Sequence, residues 1–196
     1  RISNPTSAVL AYAYNFPDAL SVSSPASKLG MPILLTDKDH LNSSVSSYLA
    51  SHPSISTLYI VGGTSVISNT VKNEAQAISS IINISRLSGS DRYETSWIVA
   101  SEFFSSPSYV CIATGKNFPD ALAGGVHAAL RNAPILLVPS NNPFLAVTYI
   151  SFNDTISNSY IYGGTGVVSD SIRESVESGK TSGEPSSQYI SLVELM

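Results

Sequence analysis

The sequence predicts a tandem of two doubly wound α/β modules, each built on a mainly parallel β-sheet. The first observation is an internal repeat: residues 15–20, Asn-Phe-Pro-Asp-Ala-Leu, return unchanged at 117–122, 102 positions later. The second is that short strands, apolar along their whole length, alternate with helical segments, which is typical of a parallel sheet covered on both faces. Each repeat of about 100 residues is large enough for a core of its own.

Two further segments repeat in the same order along the chain. Pro32–Leu35 matches Pro134–Leu137 at the same spacing of 102, and Tyr59–Thr64 matches Tyr160–Thr165 at a spacing of 101. Three ordered matches with a single one-residue slip are far beyond chance. They indicate that the function must suit a repeated unit.

The repeat predicts three regions. Residues 1–85 form a partial module, residues 86–178 a complete one, and residues 179–196 a linker with a possible edge strand. The segment Arg86–Thr95 that opens the second module occurs once, and its counterpart would lie upstream of Arg1. We therefore expect a fragment, a processed piece, or a set that another module or chain completes.

The composition excludes several classes of protein. Only 12% of the 196 residues are charged, about half the usual share, and serine and asparagine replace them, which favours an extracellular protein packed against a wall. The net charge of −4 and the scattered basic residues argue against nucleic acid. No apolar run is long enough to span a membrane. The single cysteine, Cys111, aligns with Val9 and predicts a small buried side chain rather than a disulfide.

The second repeat shows the elements in order. A helix begins at Ser90 or Asp91, since either is a good N-cap, and its apolar stripe includes Tyr93, Trp97 and Ala100. A turn at 114–117 separates the following strand from a helix that begins near Pro119, where a missing N–H costs nothing. The further elements are predicted as strands at 109–113, 135–138 and 160–162, helices at 143–152 and 169–178, and an edge strand at 189–193.

Four ordered segments carry a family resemblance. They resemble the signatures of the cell wall binding repeat 2 module and comprise Arg86–Thr95, Gly115–Gly125, Ala133–Leu137 and Tyr160–Ser169. The resemblance covers most of residues 86–175 and, more weakly, about 9–75. The first copy departs from the second in having Ala13-Tyr14 where the second has Gly115-Lys116, so any role of Lys116 is not expected to repeat.

The resemblance implies both a fold and a function. The family's fold is an α/β sandwich related to Toprim domains, and its modules usually occur in threes about a pseudo-threefold axis. Family members are surface proteins of clostridia and related Gram-positive bacteria, held noncovalently on the wall by binding an anionic secondary polymer. We therefore expect an extracellular, non-enzymatic anchor without cofactors, and a further module or chain that completes the threefold set.

The repeated motif supplies the first candidate ligand-binding residues. Asn15 and Asp18, with their counterparts Asn117 and Asp120, follow a strand and open a helix, and ligands of open α/β sheets gather at such strand ends. These side chains could reach sugar hydroxyls. The alternative is a folding role, in which the asparagines cap the helix and the proline starts it.

The charged candidates are Arg86, Asp91, Arg92 and Lys116. Because the net charge is negative, an anionic polymer must meet local cations, and guanidinium groups suit phosphate or carboxylate. The alternative for the cluster at 86–92 is an ion-pair network between modules.

The remaining candidates come from the family alone. The resemblance associates Pro134, Ile135, Leu136 and Leu137 with polymer binding, although an apolar strand can act only indirectly, by positioning the loop after it. The acids of Asp37–Asp39 have no repeat counterpart, so we predict no metal site. Two other functions stay open: a self-assembling unit of a surface layer, and a nucleotide- or metal-binding α/β enzyme domain, which lacks a dinucleotide glycine pattern.

Overall fold

The computed structural model describes residues 4–78, 80–179 and 187–190. The first half of the chain alternates strands and helices. Its elements are β1 (Ser7–Tyr12), α1 (Pro17–Leu29), β2 (Ile33–Thr36), α2 (Ser43–Ser51), β3 (Thr57–Val61), α3 (Asn69–Gln76) and β4 (Asn83–Leu87).

The second half repeats this alternation. Its elements are α4 (Arg92–Phe103), β5 (Tyr109–Thr114), α5 (Pro119–Leu130), β6 (Ile135–Val138), α6 (Phe144–Ser151), β7 (Asn158–Tyr162), α7 (Asp170–Ser178) and β8 (Ser187–Ile190). None of the helices within the described residues is long and apolar enough to cross a membrane.

The strands form two four-stranded sheets of the same topology. The first sheet has the order β2-β1-β3-β4 and the second β6-β5-β7-β8, and every pair is parallel. The registers repeat as well, because Ala11 pairs with Leu35 as Ala113 pairs with Leu137. The predicted α/β class with parallel sheets is confirmed. Strand β4 includes residues 85 and 86, so the first sheet continues across the predicted module boundary.

Helices cover both faces of each sheet. On the first sheet, α2 and α3 pack over one face with Leu49 and Val71 in contact with the strand residues Leu58 and Ile60. On the other face, α1 contributes Val22 to a separate core. Helices α6 and α7 cover the second sheet in the same way as α2 and α3 cover the first.

Helix α4 joins the two modules. It packs on α1 of the first module and on β6 and α6 of the second. Val99 lies in the core of the first sheet, whereas Ala100 lies in a core of the second. Helix α1 also reaches across, since Leu20 packs with Ala121 and Tyr162. The two modules therefore share apolar cores, and neither can unfold without exposing part of the other.

The start of α4 agrees with the sequence prediction. The Asp91 side chain accepts hydrogen bonds from the Tyr93 and Glu94 amides at 2.8 and 2.9 Å. The Glu94 carboxylate in turn accepts the Ser90 amide at 2.6 Å. This reciprocal pattern satisfies N–H groups that the first helical turn leaves free.

Two strand boundaries differ from the predictions. Strand β7 (Asn158–Tyr162) begins two residues before the predicted start at Tyr160, and the edge strand β8 (Ser187–Ile190) begins two residues before the predicted start at Tyr189. The reason is register, because β8 starts opposite Ser159 and Ile190 pairs with Tyr162, where β7 ends. Residues 191–193 and most of the predicted linker lie outside the described residues.

Candidate functional site

The carboxyl ends of β1, β3 and β4 meet at one edge of the first sheet and surround a polar cavity. This cavity has a volume of about 160 Å³. In open α/β sheets, this edge is where ligands bind. We call it the strand-end cavity. Its polar lining residues are Asn15, Asp18, Ser65, Ser90, Asp91, Arg92 and Thr95.

Asp18 is the most buried acid of the strand-end cavity. It lies in the first turn of α1, next to the turn that follows β3. Gly62 has a φ of +110° in that turn, and a Cβ there would lie 2.5 Å from the Asp18 Oδ2 atom. Two reasons require glycine at this position: the backbone has a positive φ, and a side chain would collide with the Asp18 carboxyl group. Burial raises the pKa of Asp18 to about 6, while the nearby Arg92 charge acts to lower it.

Arg92 borders the cavity and also holds the modules together. Its Nη1 atom donates to the Gly115 carbonyl oxygen at 2.5 Å, and its guanidinium carbon lies 5.8 Å from the centre of the Phe16 ring. One side chain thus touches the loop after β5, the start of α1 and the cavity. Among the described residues Arg92 forms no ion pair, so a carbonyl and an aromatic ring take the place of the ion-pair network given as the alternative. These contacts are compatible with a role toward a ligand.

Asp91 and Asn15 border the same cavity, and one side-chain oxygen of each already accepts backbone hydrogen bonds. Asp91 caps α4, as described above, and Asn15 Oδ1 accepts the amide of Phe16 at 3.1 Å. Both side chains are nevertheless exposed at the cavity. Each could still offer its second polar atom to a ligand.

Arg86 lies beside the cavity rather than in its lining. Its Nη1 atom donates to the Gly62 carbonyl oxygen at 2.8 Å, which fixes the turn that faces Asp18. Its Nη2 atom is buried and has no hydrogen-bond partner among the described residues. Burial lowers the pKa of this guanidinium. Arg86 therefore supports the shape of the site.

The second sheet repeats part of this arrangement. Gly163 has a φ of +96°, and a Cβ there would lie 2.9 Å from the Asp120 Oδ2 atom, as at Gly62 and Asp18. Lys116 and Asn117 are exposed in the adjacent loop. The structure thus divides the predicted site residues between the ends of two sheets.

Strand β6 holds the apolar candidates away from solvent. Pro134 is buried, and Ile135, Leu136 and Leu137 are at most 2% exposed. The Leu137 amide donates to Ser96 Oγ of α4 at 3.0 Å. These residues support α4, and α4 carries Arg92 into the strand-end cavity, which agrees with an indirect role.

Sequence reasoning missed Ser65 and the cavity role of Ser90. Ser65 lies just after the repeated Gly-Gly-Thr segment, which follows β3 at the same edge of the sheet as Asn15 and Asp18. This shared position at the sheet edge is the sequence signal that could have predicted Ser65 as a lining residue. Within the described part of the chain, no group of three or more His, Cys, Asp or Glu side chains is placed to hold a metal ion.

Comparison with known proteins gives the family. A profile of the family described as cell wall binding domain 2 (CWB2) matches residues 1–72 and 86–173. The chain belongs to this family, and the predicted resemblance is confirmed. The chain is a non-catalytic cell wall binding domain.

Two curated relatives, both from Bacillus subtilis (strain 168), are similar to this chain. N-acetylmuramoyl-L-alanine amidase LytC is 33% identical over 165 residues, which cover 84% of this chain and 32% of the relative. Amidase enhancer is 30% identical over 178 residues, which cover 91% of this chain and 24% of the relative. The chain thus spans a third or less of the length of each relative.

Two solved structures share the fold. Cwp6 from Clostridium difficile aligns with a TM-score of 0.79 at 23% identity, over 93% of this chain and 29% of that one. Cwp8 from the same organism aligns with a TM-score of 0.81 at 24% identity, over 96% of this chain and 31% of that one. Identity at this level shows the fold alone.

Proposed function

We propose that this chain anchors a protein noncovalently to the outside of a Gram-positive cell by binding an anionic secondary wall polymer in the strand-end cavity. The observation that carries the proposal is that Asp18 and Arg92 meet in one polar cavity at a sheet edge of a wall-binding domain.

The chemistry of the cavity suits an anionic sugar chain. The Arg92 guanidinium keeps donors beyond the one used by Gly115, and guanidinium groups bind phosphate or carboxylate with directional hydrogen bonds. Ser65, Ser90 and Asn15 offer donors and acceptors for sugar hydroxyls. Because the chain has a net charge of −4, the attraction must be local.

Several weak sites would give a firm anchor. Lys116, Asn117 and Asp120 lie at the equivalent edge of the second sheet, so one polymer could contact both modules. Linked sites bind a repeating polymer far more tightly than either site alone.

Cosedimentation with purified Gram-positive walls tests the proposal. We expect this chain to sediment with intact walls, to be released by added salt, and to lose binding after acid extraction of the secondary polymers. Unchanged binding to extracted walls would contradict it and point to peptidoglycan instead.

A third module of the pseudo-threefold set has a defined surface to cover. Leu122, Val126 and Leu130 form an apolar stripe along α5, and they are 60%, 66% and 82% exposed. Their counterparts in α1 include Leu20 and Ser24, which are buried against the second module. We propose that a third module covers the stripe on α5 as the second module covers α1.

Thiol labelling tests this closure. Val126→Cys should react rapidly with a maleimide in this chain and slowly in a longer protein that contains a third module. Phe152→Cys, at the end of α6, provides a matched exposed control, and Cys111 is fully buried with its pKa raised by burial to about 12. If Val126→Cys reacts slowly in this chain alone, and the chain sediments as an oligomer, the result would favour the self-assembling surface unit.

A further inference from the structure

A second cavity lies beside the strand-end cavity, at the carboxyl end of β6. Its volume is about 120 Å³, and the starts of α4 and α6 line it, with Asp91 and Tyr93 on one side and Asn142 and Phe144 on the other. We call it the α6 cavity. Asp91 belongs to the linings of both cavities, so the two cavities adjoin at this side chain. A polymer that leaves the strand-end cavity past Asp91 therefore reaches the α6 cavity next.

Phe144 is an exposed aromatic residue at the rim of the α6 cavity. It is 65% exposed, and it is held at the start of α6 because the Asn142 Oδ1 atom accepts its amide at 3.0 Å. The corresponding helix of the first module, α2, begins with Ser43 instead. The fold therefore does not need an aromatic ring at this position, and a contact with a ligand gives the ring a role.

The α6 cavity combines an apolar plane with a hydrogen-bond acceptor, which suits a neutral sugar ring. One face of a pyranose presents C–H groups that pack on an aromatic ring, while its hydroxyl groups donate to carboxylate oxygens. Asp91 accepts the amides of Tyr93 and Glu94 through Oδ1, which leaves Oδ2 for a hydroxyl. Typical ligand pockets measure roughly 300–1,000 Å³. The α6 cavity is smaller, so it admits part of a sugar whose ring lies outside, on Phe144.

Charge decides which group of the polymer each cavity takes. Arg92 lines the strand-end cavity, whereas the charge at the α6 cavity comes from Asp91. A carboxylate accepts hydrogen bonds from hydroxyl groups and repels an anionic group. The anionic group is therefore directed to Arg92 and a neutral sugar to Phe144.

We propose that the α6 cavity is a second subsite for the same polymer, in which Phe144 stacks on a neutral sugar next to the anionic group that Arg92 binds. The inference rests on the proposed binding of an anionic wall polymer in the strand-end cavity. It adds the order of the two groups along the polymer. Phe144 is then a specificity-determining residue, because it selects a polymer in which a neutral sugar adjoins the anionic group.

Wall cosedimentation of two matched phenylalanine variants tests the subsite. Phe144→Ser gives α6 the residue that begins α2, and Phe152→Ser makes the same change at the other end of α6, where the residue is 78% exposed and outside both linings. The affinity for intact Gram-positive walls is measured at several salt concentrations, with Arg92→Gln alongside. Melting temperatures show whether each variant is folded.

Phe144→Ser should weaken binding about tenfold, and Phe152→Ser should leave it unchanged. The salt dependence should stay as in the native chain for Phe144→Ser, because the ring carries no charge, and should fall for Arg92→Gln. Phe144→Trp should bind as the native chain does. Its added fluorescence should shift to shorter wavelength when polymer solubilised from the walls by acid is added, because a sugar then covers the indole ring.

Native affinity in Phe144→Ser together with weakened binding in Arg92→Gln would overturn the second subsite and leave the strand-end cavity in place. The reverse result, a loss in Phe144→Ser with native affinity in Arg92→Gln, would support the sugar contact and contradict the proposed function of the strand-end cavity. Equal weakening by Phe144→Ser and Phe152→Ser would indicate nonspecific apolar attachment to the wall and would overturn the sugar contact.

Discussion

Gly124 of α5 packs directly against the ring of Tyr162 in β7. A Cβ at Gly124 would lie 2.6 Å from Tyr162 Cζ, which leaves no room for any side chain. The corresponding residues of the first module are Val22 and Val61, which are both fully buried. The two modules therefore fill the same space between helix and sheet with different pairs, one of glycine and tyrosine and one of two valines.

Gly124→Ala should lower the free energy of unfolding by about 1–3 kcal/mol, because the new methyl group forces a fully buried ring to move. Alanine is the better helix former by about 1 kcal/mol, so a net loss reports the collision. Urea unfolding measures the change. Gly164→Ala, where no atom lies within 4 Å of the added Cβ, is the control. Equal stability of native chain and Gly124→Ala would refute the packing.

A double variant tests the pairing itself. Gly124→Val together with Tyr162→Val recreates the pair found in the first module. We expect the double variant to be more stable than the sum of the two single changes predicts, by more than about 0.5 kcal/mol, because the valine fills space that the ring vacates. Simple additivity would show that the two positions do not share that space.

Asp91→Ala should destabilise the protein by about 0.5–2 kcal/mol, since it removes the acceptor for two amides at the start of α4. Because α4 packs on both modules, we expect one unfolding transition at a lower temperature rather than separate melting of the halves. Asp91→Asn keeps an acceptor and should recover most of the loss. Calorimetry measures both, and two separated transitions would contradict the shared core.

The contribution of Asp18 to the stability of the protein should fall as pH rises from about 4 to 6. Burial raises the folded-state pKa of Asp18 from 3.8 to about 6, so in this window the folded state binds a proton that the unfolded state has lost. The cost at neutral pH is about 3 kcal/mol. Asp18→Asn should remove this component of the slope and be the more stable form at pH 7. Urea unfolding between pH 4 and pH 7 compares the two proteins, and identical slopes would contradict the burial of a titrating carboxyl.

Much of the architecture could be predicted because it depends on local pattern. Strand β6 and helix α6 agree with their predicted bounds to within a residue, and Asp91 is one of the two predicted N-caps of α4. Apolar runs, caps and the repeat are all properties of neighbouring residues. The relation to Toprim domains and the module boundaries stay predictions.

The site could be predicted only in part, because it depends on residues far apart in the chain. Asp18 and Arg92 were each candidates, but nothing local indicates that they share a cavity. The apolar stripe of α4 did not indicate which sheet it packs on. Val99 and Ala100 are adjacent in sequence but lie in the cores of different sheets. Helical periodicity identifies an apolar face but does not assign its partner.

The strand-end cavity is tested most directly by wall cosedimentation of three variants. Ser65→Tyr places a ring at the exposed rim of the cavity, Arg92→Gln removes its guanidinium, and Lys38→Gln removes the same charge from an exposed residue outside the lining. We predict that the first two weaken binding about tenfold or more, which is about 1.4 kcal/mol, and that Lys38→Gln leaves it unchanged. Ser65→Tyr keeps the contact of Arg92 with Gly115, so loss of binding with an unchanged melting temperature would report the cavity alone. Native affinity in Ser65→Tyr and Arg92→Gln would contradict polymer binding at this site.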